Sequence, residues 1–467
     1  MRILIHGINF SPEEAGVGKY TGEMAGWLAA AGHEVRVVTA PPHFPQWRVP
    51  REYRAWKYSR EELPAWDGFA CIPGVPLPFP AKMEIFRCPI WVPRAPNGMK
   101  RLLHLASFGL SSWPAMLWQI PWRPDMVLLV EPTLFCSLQA LAAARFSGAK
   151  TWLHVQDFEV DAAFELGDLS SSRAKGWAHT LERWLVHRFD RVSAISGRMV
   201  EGLMRKGADP SRCLLFPNWV DTRVVRPLPG PSPLRRELGI ADHSVVALYS
   251  GSMGKKQGLD LLVDVARRLA QWPDLRFVFC GEGSYRRTFV EMAKDLPNVS
   301  LLPFQPIERL NDLLNLADIH LLPQRADAAD LVMPSKLTGM LASGRPVVAT
   351  AHPGTQLATA VQGCGLVVPP GDPDVFAFAI LQLAGDKNLR LRLGHEAREY
   401  AVIHLDSAVI LSRFERALLA VCNESSWADV ADWEHGTGTE MESHHLEAMF
   451  GRGQREHVVA ATRKPLL

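Results

Sequence analysis

Apolar residues recur along this chain in short runs separated by helix-period stretches, the pattern of parallel strands buried on both faces and joined by helices. Residues 2–8 (RILIHGI) are the first such run. A turn rich in Gly and Pro follows, and 17–31 carry a helical pattern that stops at Gly32 before a second apolar run at 34–39. This is a βαβ opening. Strand candidates return at 125–130, 151–155, 190–195 and 212–216, with helical stretches at 133–146, 177–189 and 196–206 between them. After Asp221 the segment RPLPGPSPLRREL packs four prolines and a glycine into a polar linker. The rhythm then restarts, with strands near 245–250, 275–280, 298–302, 318–323, 346–349 and 365–368, and helices at 373–384, 388–402 and 406–420. The pattern predicts an α/β protein of two doubly wound domains, residues 1–222 and 223–405, followed by a terminal helix at 406–422 and a polar, His-rich tail at 423–467. Ligand is expected in the crevice facing the carboxyl ends of the strands.

Two segments break the rhythm. Residues 40–100, rich in Pro, Trp and Arg, are too long for an ordinary connection and predict a functional insertion. The stretch 102–122 (LLHLASFGLSSWPAMLWQIPW) is long enough to span a membrane, but His104, three serines, Gln119 and two prolines weaken that reading. It follows Lys100-Arg101 and holds Trp113, Trp118 and Trp122, residues favoured at a membrane interface. Buried helices of the first domain and an interfacial patch are the two readings that stand. Twelve of the fifteen tryptophans precede residue 222, which places any lipid-facing surface on the first domain.

With 51 basic against 49 acidic side chains the net charge is +2, which excludes a generic nucleic-acid binder. The seven cysteines, at 71, 88, 136, 213, 280, 364 and 422, are odd in number, scattered and without a CxxC pair. They read as reduced thiols of a cytosolic protein. The opening run ILIHGI is too short for a secretory signal, so a cytoplasmic location is expected.

Four glycine-rich turns follow strands: GINFSPEEAGVGK with Gly16 and Gly18, YSGSMGKKQG with Gly251, Ser252 and Gly254, CGEGS with Gly281 and Glu282, and MPSKLTGMLASGRPVV. Three of them fall in the second domain at strand-to-helix junctions, where backbone N–H groups favour an anion. Lys255 and Lys256 sit inside the second turn, and Ser335-Lys336 open the helix of the fourth. Fixed dipoles with one or two cations are what a departing diphosphate requires. The glycines of the first turn, at 7, 16 and 18, do not follow GxGxxG spacing, which removes the main support for a nicotinamide oxidoreductase. Glu13 and Glu14 precede Gly16 and either contact a polar acceptor in the cleft or solvate the turn, the simpler reading. His154 and Asp157, with Glu159 and Asp161, lie at a strand end from which side chains reach the interdomain crevice. Asp372 and Asp374 form a DxD that reads as a helix N-cap, and His444-His445 lack partner ligands, so neither a bound metal nor a cofactor is expected.

Five segments in order carry a family resemblance: the opening 42 residues, HVQD at 154–157, FPNWVD at 216–221, YSGSMGKKQGL at 249–259 and PSKLTGMLASGRPVV at 334–348. Together they resemble bacterial glycosyltransferases of the GT-B, glycogen-synthase-like retaining class (family 4), in the branch that builds surface polysaccharides and includes colanic-acid fucosyltransferases. The resemblance implies two Rossmann-like domains facing across a cleft, the nucleotide-sugar held mainly by the second and the acceptor by the first. It also implies a last helix that crosses back to the first domain. Carried over, Gly16 and Gly18 lie beside donor and acceptor, His154 near the transferred sugar, Asn218 and Asp221 at the hinge, and Gly251 to Gly258 with Ser335-Lys336 at the donor diphosphate. The implied reaction moves a hexosyl group, with fucosyl from a GDP-linked donor as one candidate, from a nucleotide-diphosphate sugar to a lipid-linked oligosaccharide at the cytoplasmic membrane face. Lys255 and Lys256 would stabilise the diphosphate, while His154 and Asp157 hold or orient the sugars. Many members carry two glutamates eight positions apart where this chain has Leu331 and Gly339, and Arg and Lys where it has Ser252 and Gln257. These departures admit two rivals, a catalytically silent sugar-nucleotide or glycolipid binder that scaffolds polysaccharide assembly, and a nucleotide-sugar epimerase.

Overall fold

The computed structural model describes residues 1–64, 82–94, 98–131, 134–158, 172–254, 257–325 and 334–423. Lys255, Lys256, Glu159, Asp161, Leu331, Cys71 and the tail from 424 lie outside the described residues. The first half alternates β1 (Arg2–His6), α1 (Gly16–Ala30), β2 (Glu34–Thr39), β3 (Ser59–Pro64), β4 (Lys82–Arg87), α2 (Gly98–Trp118), β5 (Met126–Glu131), α3 (Ser137–Ser147), β6 (Lys150–Val155), α4 (Ser172–Val186), β7 (Arg191–Ala194), α5 (Gly197–Arg205) and β8 (Cys213–Leu215). The second runs α6 (Pro233–Glu237), β9 (Val245–Ser250), α7 (Leu259–Arg268), β10 (Leu275–Cys280), α8 (Arg286–Ala293), β11 (Val299–Leu302), α9 (Leu310–Leu316), β12 (Ile319–Leu322), α10 (Lys336–Ala342), β13 (Val347–Thr350), α11 (Gln356–Val361), β14 (Gly365–Val368), α12 (Pro373–Gly385), α13 (Lys387–His404) and α14 (Ser407–Cys422).

Among the described residues the strands form an eight-stranded sheet, ordered β3-β4-β2-β1-β5-β6-β7-β8, and a six-stranded sheet, ordered β11-β10-β9-β12-β13-β14. Every pairing is parallel except β3 with β4. The chain is therefore two doubly wound α/β units. Strands such as Met126–Glu131 are buried along their whole length because helices cover both faces, which is why they read as unbroken apolar runs. In both sheets the order reverses beside the first strand of the unit, β1 and β9, and there the loops part to leave a crevice.

The region 40–100 is less foreign than its composition suggests, since β3 and β4 extend the first sheet and pair in register from Ser59↔Arg87 to Pro64↔Lys82. Arg87, with 1% of its surface exposed, anchors this edge: its guanidinium donates to Glu61, to the Ala40 carbonyl and to the Ser11 carbonyl. The stretch 102–122 belongs mostly to α2, and neither sequence reading describes it alone. Leu105, Phe108 and Met116 are buried in the first core, while Leu103, Leu110, Leu117 and Trp118 are exposed. No helix among the described residues is long and apolar enough to cross a membrane. Asp372 caps α12, accepting from the amides of Asp374 and Val375.

The chain passes to the second unit near Val220 and returns near Leu405, where Val220 N donates to Leu405 O at 2.8 Å and Ser407 N to Val220 O at 3.0 Å. Helix α14 then lies on the first sheet. Its buried Ile410, Phe414, Ala417 and Val421 repeat at helical spacing and enter the core formed by Trp152, Phe216 and Trp219. Phe414 stacks on Phe216 with ring centroids 3.9 Å apart.

Candidate active site

The crevice has one glycine loop on each side. In the first unit, Gly16 begins α1 at φ +65°, and a Cβ on it would stand 3.2 Å from the Phe44 ring. A Cβ on Gly18 would lie 2.3 Å from Glu13 Oε2, so only glycine fits there. Glu13 does not solvate the turn as its sequence neighbourhood suggests; 4% of it is exposed. Its Oε1 accepts from the amides of His43 at 2.9 Å and Phe44 at 3.0 Å, and its Oε2 accepts from Asn9 Nδ2 at 2.9 Å. Burial pushes the Glu13 carboxyl up to about 7 against the pull of these donors and of Arg87. Glu14 is exposed.

In the second unit the loops after β9 and β10 interlock through their backbones. Gly251 N donates to Cys280 O at 3.0 Å and Met253 N to Glu282 O at 2.8 Å. A Cβ on Gly281 would meet Gly251 O at 1.9 Å, and one on Gly283 would meet Met253 O at 2.3 Å, so this contact needs glycine at both positions of the loop after β10. Gly254 N donates to Gln257 Oε1 at 2.9 Å. Glu282 holds Arg286 at 3.3 Å. Lys336, the first residue of α10, is half-buried, and its Nζ donates to Tyr249 Oη at 2.9 Å above that ring. Tyr249 Oη in turn donates to Ser252 O at 2.6 Å. The Lys336 ammonium is thereby held against the Gly251 loop, 3.4 Å from where a Cβ on Gly251 would be. Burial lowers its pKa to about 7, so an arriving anion would favour its charged form.

The two loops face each other. Tyr20 Oη, from the first turns of α1, donates to Ser335 O at 3.4 Å, and Tyr20 packs edge-on against Trp219 in the stretch leading to the domain crossing. Gly339 lies on α10, where a Cβ would meet the Leu314 side chain at 3.2 Å.

His154 does not line an open crevice wall; 1% of it is exposed, its ring lies 4.8 Å from that of Phe216, and Nδ1 is 3.0 Å from Ser193 Oγ. That hydroxyl also accepts from Trp152 Nε1 at 2.9 Å. Nε2 of His154 is buried without a hydrogen-bond partner, and burial lowers the pKa to about 3, so the imidazole is neutral. Asp157 stands apart from it, with Arg101 of α2 at 3.8 Å. Near Asp157, Glu131 ends β5 with its carboxyl pushed up to about 8 by burial and by Glu182, against the pull of Lys206 and with a further push from Asp157. Among the described residues the metal-binding geometry nearest to complete is His395, Glu396 and Glu399, all exposed on α13.

Comparison with known proteins accounts for this layout. The Glycosyl transferase 4-like domain family matches residues 15–219, and the Glycosyl transferases group 1 family matches residues 232–400. The colanic acid biosynthesis glycosyl transferase WcaI of Escherichia coli strain K12 is 40% identical over 428 residues, covering 89% of this chain and 98% of that protein. The chain belongs to the group 1 family of glycosyltransferases. Among solved structures, sucrose-phosphate synthase from Thermosynechococcus elongatus superposes with a TM-score of 0.67 at 16% identity, covering 91% of this chain and 100% of that one. HepE of Anabaena, in complex with UDP-glucose, gives 0.62 at 17% identity over 90% of this chain and 100% of that one. These likenesses identify the fold as GT-B. In this glycosyltransferase, Tyr20 and Tyr249 at the two loops were not singled out by sequence reasoning, and Glu13 was read as solvating the turn. Glu13 sits in a turn where acids are usually solvated, and Tyr249 reads as one more apolar strand position.

Proposed function

We propose that this glycosyltransferase moves a hexosyl group, with retention of configuration, from a nucleoside-diphosphate sugar to a lipid-linked oligosaccharide in surface polysaccharide synthesis. The observation that carries the reading is the Lys336–Tyr249 pair held against the Gly251 loop, opposite the Gly16–Gly18 loop. As the bond from the anomeric carbon to the diphosphate breaks, negative charge accumulates on the departing oxygen, and loop amides with the Lys336 ammonium are positioned to receive it. Lys255 and Lys256, on the same loop, would add to that charge. Gly254, Gly281, Glu282 and Ser335 shape the donor side, Gly16 and Gly18 let the sugar approach α1 closely, and Ser252 is fixed through its carbonyl by Tyr249. Asp157 orients the acceptor, whereas His154, with 1% of its surface exposed and packed on Phe216, does not reach the sugar in this conformation. Closure of the units would exclude water from the reacting bond. The resemblance favours a GDP-linked fucosyl donor; the UDP-glucose bound by HepE favours a uridine donor.

The membrane-facing part of the proposal rests on α2. Met99, Leu103, Leu110 and Leu117 are exposed at intervals of four and seven residues, a single stripe, with Trp118 at its end and exposed Phe135 and Leu138 on the neighbouring segment. Lys100 and Arg101 begin the helix and suit anionic headgroups. On this reading the protein sits peripherally on the inner membrane face. A thermal-shift panel of UDP-, GDP- and TDP-sugars tests the donor reading, and one of them should raise the melting temperature. No shift with any of them, or interconversion of donors in solution, would sink it. Co-sedimentation with phosphatidylglycerol vesicles tests the stripe; Leu110→Ser with Trp118→Ser should leave the protein in the supernatant, and equal pelleting of both proteins would refute it.

A further inference from the structure

Helix α1 starts from the glycine loop of the first unit, and Tyr20 stands one turn in, four residues after Gly16. It is 3% exposed, and a tyrosine buried that deeply needs a partner for its hydroxyl. The partner belongs to the other unit, since Oη donates to the Ser335 carbonyl at 3.4 Å. The hydroxyl also faces Thr338, whose own Oγ1 donates to that carbonyl at 2.9 Å. One backbone oxygen is therefore held both from within α10 and from across the crevice.

Two contacts aim the tyrosine ring. Lys19 Nζ stands 4.4 Å over its centroid and is itself paired with Glu23 Oε1 at 2.9 Å. Trp219 meets the ring edge-on with centroids 5.2 Å apart, and its Nε1 donates to Glu23 Oε2 at 2.6 Å. Trp219 directly precedes Val220, where the chain crosses between the units. At the other end of the contact, the carbonyl that Tyr20 holds belongs to the residue before Lys336. Helix α10 is seven residues long, and its core anchors Leu337, Met340 and Leu341 all follow Lys336 in the chain. Lys336 itself is half-buried, and its long side chain reaches Tyr249 Oη at 2.9 Å. A flexible ammonium is placed to within a fraction of an ångström only when the backbone that carries it is fixed.

We propose that Tyr20 is a positioning residue of the donor site: its hydroxyl fixes the Ser335 carbonyl, and with it the backbone from which Lys336 reaches the Gly251 loop. This deepens the transfer reading above and rests on it, because Lys336 enters here as the cation that receives the donor diphosphate. The first unit then helps to grip the donor through a residue that does not touch it. Because the contact crosses the crevice, the seating of Lys336 depends on the separation of the two units.

The test is a double-mutant cycle on the full chain, read by isothermal titration of UDP and of GDP at pH 6.5, where the Lys336 ammonium is charged. Tyr20→Phe keeps the ring between Lys19 and Trp219 and removes only the hydroxyl. It should weaken the tighter-binding nucleotide by about three- to tenfold in the otherwise native chain. In a chain that already carries Lys336→Gln, the same change should cost less than about twofold. A tyrosine that merely supports the fold would weaken binding alike in both backgrounds, and that result overturns the proposal. Native affinity in Tyr20→Phe overturns it too, while leaving the donor reading intact. A native chain that binds neither nucleotide removes the donor reading and this proposal with it.

Discussion

Glu131→Gln tests the electrostatics of the crevice floor, because the carboxyl it removes is one that the fold holds protonated. Glu131 is 5% exposed at the end of β5, and burial followed by the charge of Glu182, opposed by Lys206 and assisted by Asp157, raises its pKa from 4.5 to about 8. Below pH 4.5 the carboxyl is protonated in folded and unfolded chains alike and contributes no pH dependence. Between 4.5 and 8 the unfolded chain releases the proton and the folded chain keeps it, so stability falls by about 1.4 kcal/mol per pH unit. At pH 7 the accumulated cost is about 3 kcal/mol, and by pH 8 it is about 4. Glutamine has no proton to lose and avoids it. Paired thermal melts of the two proteins should coincide near pH 5 and separate as pH rises. The variant should melt about 6–12 °C higher at pH 7, at about 2–4 °C per kcal/mol for a unit of this size. A gap that stays constant from pH 5 to 8, or a variant that melts lower at pH 7, would show that Glu131 is ionised in the folded protein.

Gly18→Ala should destabilise the first glycine loop by about 2–3 kcal/mol, since its Cβ would displace Glu13 from the His43 and Phe44 amides; a calorimetric melt checks this, and a neutral result would mean the loop relaxes freely. Lys336, with its pKa lowered to about 7, carries its charge below that pH and loses it above. Affinity for a nucleoside diphosphate should therefore fall from pH 7 to pH 9 by as much as ~tenfold per unit, and Lys336→Gln should remove that slope. Isothermal titration at pH 6.5, 7.5 and 8.5 measures it, and parallel pH profiles would take Lys336 out of the diphosphate site.

The strands that build both sheets were legible because each is covered on two faces. VLLV at 127–130 and VVALY at 245–249 have no polar face to confuse the pattern, and Gly32 and Gly258, at φ +90° and +65°, mark turns that other residues rarely make. The edge was not legible. SREELP at 59–64 is half charged, and it becomes a strand through Arg87 and Glu61, a pairing that exists only after folding. Glu13 shows the same limit, since the two amides that hold its Oε1 lie thirty residues on and nothing near it predicts burial. The anion-binding character of the second-unit loops followed from glycine and lysine at strand ends, but the role of Tyr249 did not, because its hydroxyl matters only through Lys336, 87 residues later. The position of His154 was the least predictable, since its seclusion depends on aromatic residues around Phe216 that α14 completes from beyond the second unit.

That last dependence sets an order of events during synthesis. A ribosome delivers the strands of the first unit early, yet Trp152, Phe216 and Trp219 stay without Phe414 until some two hundred further residues have emerged. The second unit, whose sheet is contiguous in the chain, can finish first, while its predecessor waits with an aromatic trough open to chaperones. Once the late helix docks, the two side-by-side straps at Val220 and Leu405 are tied by a pair of backbone hydrogen bonds. The same stitch that completes the older half thus also joins it to the younger one.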